Sequence, residues 1–382
     1  LLGAALLLAV VLGAGWWKLS QYSTSFPIEI GLKASEPSQN TAWPWKAAPQ
    51  VLGPGTRLWS TVSGDGTLLL LMRFDLGLNP RLKFSIWDNE AHDDKPGDNL
   101  LRYWPHGVAQ ITGELNRHWK AEGRIMDLAT QGSMPQPRQV LAASNGAFFG
   151  YANKVPGPDG VAFHVGPVVL DSKIFFNGAN HRWTFGTRKI NGRQRFDVVH
   201  LPNRETLSRF EWAAGAVQCL VKDGVPLKLE PFPRSRDDFR PQPVPSTDKE
   251  AGHIPVFDHM RTCRVSLAWS KDSKVLWWLV VKEPDLESGS ALALRNGLPL
   301  GGGWSVPDVQ RFWMSLRQSQ AKEVWCAINS DAGDVAQMIW KSGASYEMIP
   351  PRWASNKMRI GLRSDFSNAP LGGPMMAFVV SG

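Results

Sequence analysis

Ala327-Ile328-Asn329-Ser330-Asp331-Ala332-Gly333-Asp334-Val335 closes an apolar run that begins at Val324. Five residues of that kind, bounded by a polar, glycine-containing segment, read as a buried strand opening into a loop. Working backwards, residues 307–320 place Val309, Phe312, Trp313 and Leu316 on one helical face. Ser305 ahead of it and Pro307 in its first turn are ordinary helix-start residues. Gly301-Gly302-Gly303 precedes the helix and could present backbone N–H groups to a phosphate, or serve only as a loop.

Upstream, strand patterns dominate. Residues 58–62 and 67–74 flank Ser63-Gly64-Asp65-Gly66 and read as a hairpin. Residues 81–87 alternate Leu82, Phe84 and Ile86. Residues 139–149 run a strand into Asn145-Gly146-Ala147-Phe148-Phe149. Residues 217–221 form a strand before Lys222-Asp223-Gly224, and residues 264–269 and 275–281 form a second hairpin. Residues 88–99 carry Asp93, Asp94 and Asp98 without regular ligand spacing, so they read as a solvated loop rather than a calcium loop. The expected fold class is α+β: a strand-rich, mixed-sheet domain with few helices. It spans 56–382, with a Pro-rich insert at 230–258.

Residues 1–17 are apolar and end in Trp16-Trp17-Lys18. At about 1.5 Å per residue this is a short bilayer span. The rival is a cleaved signal peptide, but no small-residue cleavage site follows and the Trp-Trp-Lys end suits a membrane interface. The expectation is one N-terminal transmembrane helix over 1–19, a tether over 20–55 with Trp43-Pro44-Trp45 inside it, and a soluble domain outside the cytoplasm, in a bacterial periplasm.

Composition narrows the function. The net charge of +8 is scattered, with no long basic run, and no nucleic-acid motif accompanies it. Eighteen tryptophans against four tyrosines suit either large core side chains or a sugar-binding or interfacial surface. Cys219, Cys263 and Cys326 have no metal-type spacing, which leaves one disulfide or three buried thiols. No cofactor and no metal site are expected.

Three loops could carry chemistry: Asn145 to Phe149, Asn329 to Val335, and His259-Met260-Arg261-Thr262. Arg261 could clamp a phosphate, Asp331 could act as acid or base, and Asn145 and Asn329 could fix sugar hydroxyls. Equally, the Asn and Gly residues could simply make turns.

In this order the motifs resemble the phosphodiester glycosidase family, the N-acetylglucosamine-1-phosphodiester alpha-N-acetylglucosaminidase or "uncovering enzyme" type. That family runs a strand into Asn-Gly-Gly-Phe-Phe, then a strand resembling residues 216–224. An Arg-Thr pair follows, then a Gly and Ser/Thr before a helix, and finally Asn-Leu-Asp-Gly-Gly-Gly-Ser. The resemblance covers about residues 56–380. It implies Asp331 and Arg261 as catalytic residues, if activity survives. It implies Asn145, Gly146, Asn329, Gly333 and Ser305 as substrate contacts. The departures bear on activity. Ala147 and Ala332 replace glycines, and Val335 removes a hydroxyl. Asp334 adds a charge where a phosphodiester would sit, and two like charges 4 Å apart repel by about 4 kcal/mol at an effective dielectric of 20. The expectation is a membrane-anchored, non-catalytic glycosidase-like domain. It would serve as an accessory subunit of a membrane complex: energy-transducing, photosynthetic, envelope or polysaccharide machinery. The alternatives are an active phosphodiester glycosidase acting on envelope glycans, and a glycan-binding module.

Overall fold

The computed structural model describes residues 48–62, 67–102, 107–130, 138–151, 161–178, 183–229, 261–282, 303–319, 323–331, 336–349 and 374–382. The expected membrane helix, residues 20–47 of the tether, the Pro-rich insert and residues 332–335, Gly333 among them, lie outside the described residues. Among those described, no helix is long and apolar enough to cross a membrane.

The strands are β1 (Gln50–Gly53), β2 (Thr56–Val62), β3 (Leu68–Asp75), β4 (Lys83–Asp88), β5 (Val140–Asn145), β6 (Phe149–Tyr151), β7 (Ala162–His164), β8 (Val168–Leu170), β9 (Lys173–Phe176) and β10 (Trp183–Ile190). They continue with β11 (Arg193–His200), β12 (Trp212–Lys222), β13 (Val225–Pro226), β14 (Arg264–Trp269), β15 (Val275–Lys282), β16 (Cys326–Asn329), β17 (Met338–Ser342), β18 (Ser345–Ile349) and β19 (Met376–Ser381). The helices are α1 (Val108–Thr130), α2 (Arg204–Leu207) and α3 (Val306–Ser319).

One sheet orders its strands β1-β2-β3-β15-β14-β16-β12-β10-β11, with β8 and β13 attached to β12 and β9 attached to β8. A second sheet runs β18-β17-β5-β19-β4. The two pack face to face. Their shared core joins Phe74, Leu267, Trp269, Trp278 and Ile328 of the larger sheet to Phe84, Ala142, Met338, Trp340 and Phe378 of the smaller. Helix α3 covers the outer face of the larger sheet through Val309, Phe312, Trp313 and Leu316. Helix α1 covers the outer face of the smaller through Val108, Ala109, Ile111 and Trp119. Strands covered on both faces lose the in-out alternation of half-buried strands, which is why Leu68 to Met72 and Val275 to Val281 are continuous apolar runs.

The sandwich centre is aromatic. Phe185 meets Phe84 at 5.4 Å, Phe378 at 5.5 Å and Trp269 at 5.2 Å between ring centroids, so it bridges both sheets. Every tryptophan among the described residues is buried or half-buried. Of the two readings of the tryptophan content, large core side chains fit there, and none of the described tryptophans offers an exposed stacking platform. All three cysteines are buried and free. Burial pushes the Cys219 and Cys326 thiols up, which suits inert core residues.

Strand-rich and helix-poor describes the domain, with three differences from expectation. Every pairing between strands is antiparallel among the described residues, because neighbouring strands join by hairpins and returns, with no helical crossover between parallel partners. The sheet begins earlier than residue 56: β1, inside the stretch read as tether, pairs antiparallel with β2. A second long helix, α1, was missed because its apolar face is interrupted by Thr112, Gly113, Glu114 and Asn116.

Candidate functional site

The strand ends that carry Asn145 and Asp331 meet where the two sheets come together. Asn145 ends β5, and Asp331 lies two residues beyond β16. Both are buried. The Asn145 Nδ2 amide donates to the Asp331 carbonyl oxygen at 2.6 Å, and its Oδ1 accepts from the Gln337 N–H at 3.0 Å. The Asp331 N–H donates in turn to the Gly146 carbonyl at 2.9 Å. Gln337 carries the linkage onward, its Oε1 accepting from the Val108 N–H at the start of α1. The Asn145 turn, two residues of the β16–β17 connection and a helix terminus are thus tied together.

Gly146 has a packing reason to be glycine. Its N–H donates to the Met376 carbonyl at 2.8 Å, and a Cβ there would stand 2.7 Å from Met376 Cγ. The neighbouring Ala147 turns its methyl into the core between the sheets. Asn329 pairs with Gln218 on one side and Ser266 on the other, giving a buried polar row across β12, β16 and β14. Its Nδ2 donates to the Ser330 carbonyl at 3.0 Å, while its Oδ1 makes no hydrogen bond.

The second group of expected site residues surrounds the start of α3. Ser305 caps that helix. Its Oγ accepts from the Asp308 N–H at 3.3 Å and donates to Asp308 Oδ2 at 2.7 Å, and the Ser305 N–H donates to the same oxygen at 2.9 Å. This is a reciprocal capping box with Asp in the fourth position. Arg261 is half-buried, and its Nε donates to the Gly303 carbonyl at 3.0 Å. Gly303 has φ +70°, and a Cβ there would stand 2.5 Å from the Thr262 carbonyl oxygen, so this close approach admits only glycine. Ser305→Ala should lower stability by about 1 kcal/mol through loss of the cap, and Ser305→Thr should recover most of it in chemical denaturation.

Sequence reading missed Arg264, which is 1% exposed and donates from Nε to the Trp304 carbonyl at 3.0 Å. The Ser330 N–H to Val265 carbonyl bond extends the β14–β16 register, and the next step sets Asp331 across from Arg264. An arginine opening a largely apolar, fully buried strand was the available signal.

A third group lies beside the Asn145 turn and was also missed. Asp88 ends β4 opposite Met376, and His164 ends β7 opposite Phe149. Asp88, Glu90 and His164 are 0%, 0% and 4% exposed. Residues 88–90 are therefore buried, against the expected solvated loop. The reason is local: Asn89 is fixed to the carbonyls of Met375 and Pro374, which draws the segment inward. Burial pushes the Glu90 carboxyl up, partly offset by the Asn99 and Gly97 N–H groups.

No protein-family model and no curated protein sequence matches the chain. Among solved structures it is similar to the zebrafish N-acetylglucosamine-1-phosphodiester alpha-N-acetylglucosaminidase catalytic domain auto-inhibited by its pro-peptide. That likeness has a TM-score of 0.44 and 15% identity, over 87% of this chain and 86% of that one. A hypothetical protein from Synechocystis gives 0.44 and 10%, over 86% and 62%. A putative exported protein from Burkholderia pseudomallei gives 0.42 and 13%, over 82% and 74%. At that distance the likeness assigns neither a substrate nor a role to any residue.

Proposed function

We propose that this chain is a glycosidase-like domain without catalytic activity, acting as an accessory subunit of a membrane complex outside the cytoplasm. One observation carries the reading. Side chains that a working site would turn toward substrate are spent on the protein's own backbone. The Asn145 amide uses both ends to join Asp331 to Gln337, and the Ser305 hydroxyl is held in a helix cap. Asp334, Ala332 and Val335 add to it, since each alters a position where the resembling family keeps glycine or serine. The apolar residues 1–17 supply the anchor in this reading, and the partner is an integral membrane assembly that receives that helix.

The test is gentle solubilisation of native membranes, capture of the full chain, and identification of what accompanies it. A stoichiometric membrane assembly is the expected result. A solitary monomer in every detergent tried would overturn the accessory role. The competing reading, an active phosphodiester glycosidase, draws on the meeting of Asn145, Gly146 and Asp331 at one place.

A further inference from the structure

The Asp88, Glu90 and His164 side chains each turn one ligand atom to a common point, all within 4.8 Å of one another. The second carboxylate oxygens and the His164 backbone are already held. Asp88 Oδ1 accepts from the Glu90 and Ala91 N–H groups at 2.9 and 3.1 Å. Glu90 Oε1 accepts from the Gly97 and Asn99 N–H groups at 2.7 and 2.9 Å. Asn99 grips the His164 backbone from both sides, its Oδ1 accepting from the His164 N–H at 2.8 Å and its Nδ2 donating to the His164 carbonyl at 3.3 Å. What remains is Asp88 Oδ2, Glu90 Oε2 and His164 Nε2, all buried and none hydrogen-bonded.

An ordinary buried ion pair does not explain this. His164 Nε2 and Asp88 Oδ2 are 3.0 Å apart, yet the angle makes no hydrogen bond between them. Two carboxylates face one another there as well, and buried like charges need a counter-ion. Metal bonds of about 2.1 Å set neighbouring ligands about 3.0 Å apart at 90° and about 3.4 Å apart at the tetrahedral angle. The Asp88–His164 edge already has that length.

We propose that Asp88, Glu90 and His164 bind one divalent transition-metal ion. The charge follows from the ligands: two carboxylates balance a dication when the imidazole is neutral. The class follows from the nitrogen, since imidazole suits zinc and its first-row neighbours, whereas calcium and magnesium take oxygen. The ion joins residues 88–99 to β7, beside the Asn145 turn. Asn99 is a positioning residue that orients the ligands from behind, as outer-shell partners do. This assignment is independent of whether the domain is catalytic.

The test uses the full chain in detergent, stripped with chelator and titrated separately with ZnCl2, MnCl2 and CaCl2 by calorimetry. One ion per chain is expected, with affinity in the order zinc, manganese, calcium. His164→Gln and Glu90→Gln should each weaken zinc binding by more than about 100-fold, beyond the usual outer-shell loss. Asn99→Gly, which keeps the backbone at φ 61°, should weaken it about 10-fold. Absence of one-to-one binding, unchanged affinity in both ligand variants, or calcium as the tightest ion would overturn the assignment. Should those variants lose their circular dichroism, the manganese-loaded parent decides. Its electron spin-echo spectrum should show coupling to one imidazole nitrogen, and absence of that coupling overturns the site.

Discussion

Asn145→Ala should lower the stability of the domain by about 3–5 kcal/mol, among the larger losses from a single polar truncation. The substitution removes a donor from the Asp331 carbonyl and an acceptor from the Gln337 N–H, both in buried surroundings. Each stranded group costs about 1–3 kcal/mol, because water cannot replace the lost partner. Asn145→Asp separates the two bonds. It keeps the acceptor for Gln337 but sets a carboxylate oxygen against the Asp331 carbonyl, so it should recover little at neutral pH. Guanidinium unfolding of the full chain in detergent checks both. The sign of the effect is informative. Groups kept for catalysis are often neutral or stabilising when removed, whereas a structural tie is destabilising.

Phe185→Ala should cost about 3–5 kcal/mol. Its ring is fully buried and meets Phe84 and Phe378 of the smaller sheet edge-to-face, and Trp269 of its own sheet at a tilt. Truncation opens a cavity where the two sheets join, and it also forfeits aromatic contacts worth about 0.5–1.5 kcal/mol each. Phe185→Leu refills most of the volume but still loses the ring contacts, so it should cost clearly less than the Ala variant without restoring full stability. A Leu variant as unstable as the Ala variant would mean that ring geometry rather than cavity volume sets the cost.

The elements with strong local patterns were legible in the sequence. The β14–β15 hairpin falls where residues 264–269 and 275–281 predict it, and α3 follows the spacing of Val309, Phe312, Trp313 and Leu316. Pairings between distant segments were not legible. Nothing near residue 50 shows that β1 will edge a sheet, since a four-residue strand has too short a pattern to stand out from a tether. The site divides the same way. The loops holding Asn145 and Asp331 stood out as polar breaks after apolar strands, but the hydrogen bonds that consume the Asn145 side chain join residues distant in sequence, Asp331 and Gln337, and no local pattern shows them. Asp88 and Glu90 were hidden among other acids of an apparently solvated stretch, and His164 comes from a distant strand. The antiparallel return of β19 on β4, the pairing of β6 with β7 and the Leu101–Ala162 bridge bring them together.

The central claim is the proposal that Asn329 to Asp331 serve the fold's internal bonding rather than a reaction centre. The most direct measurement is turnover of a panel of sugar-1-phosphodiesters by the purified full chain in detergent, with and without added zinc or manganese. The account predicts no hydrolysis above that of the Asp331→Ala variant under either condition. Hydrolysis that is well above background and is lost in folded Asp331→Ala would contradict it.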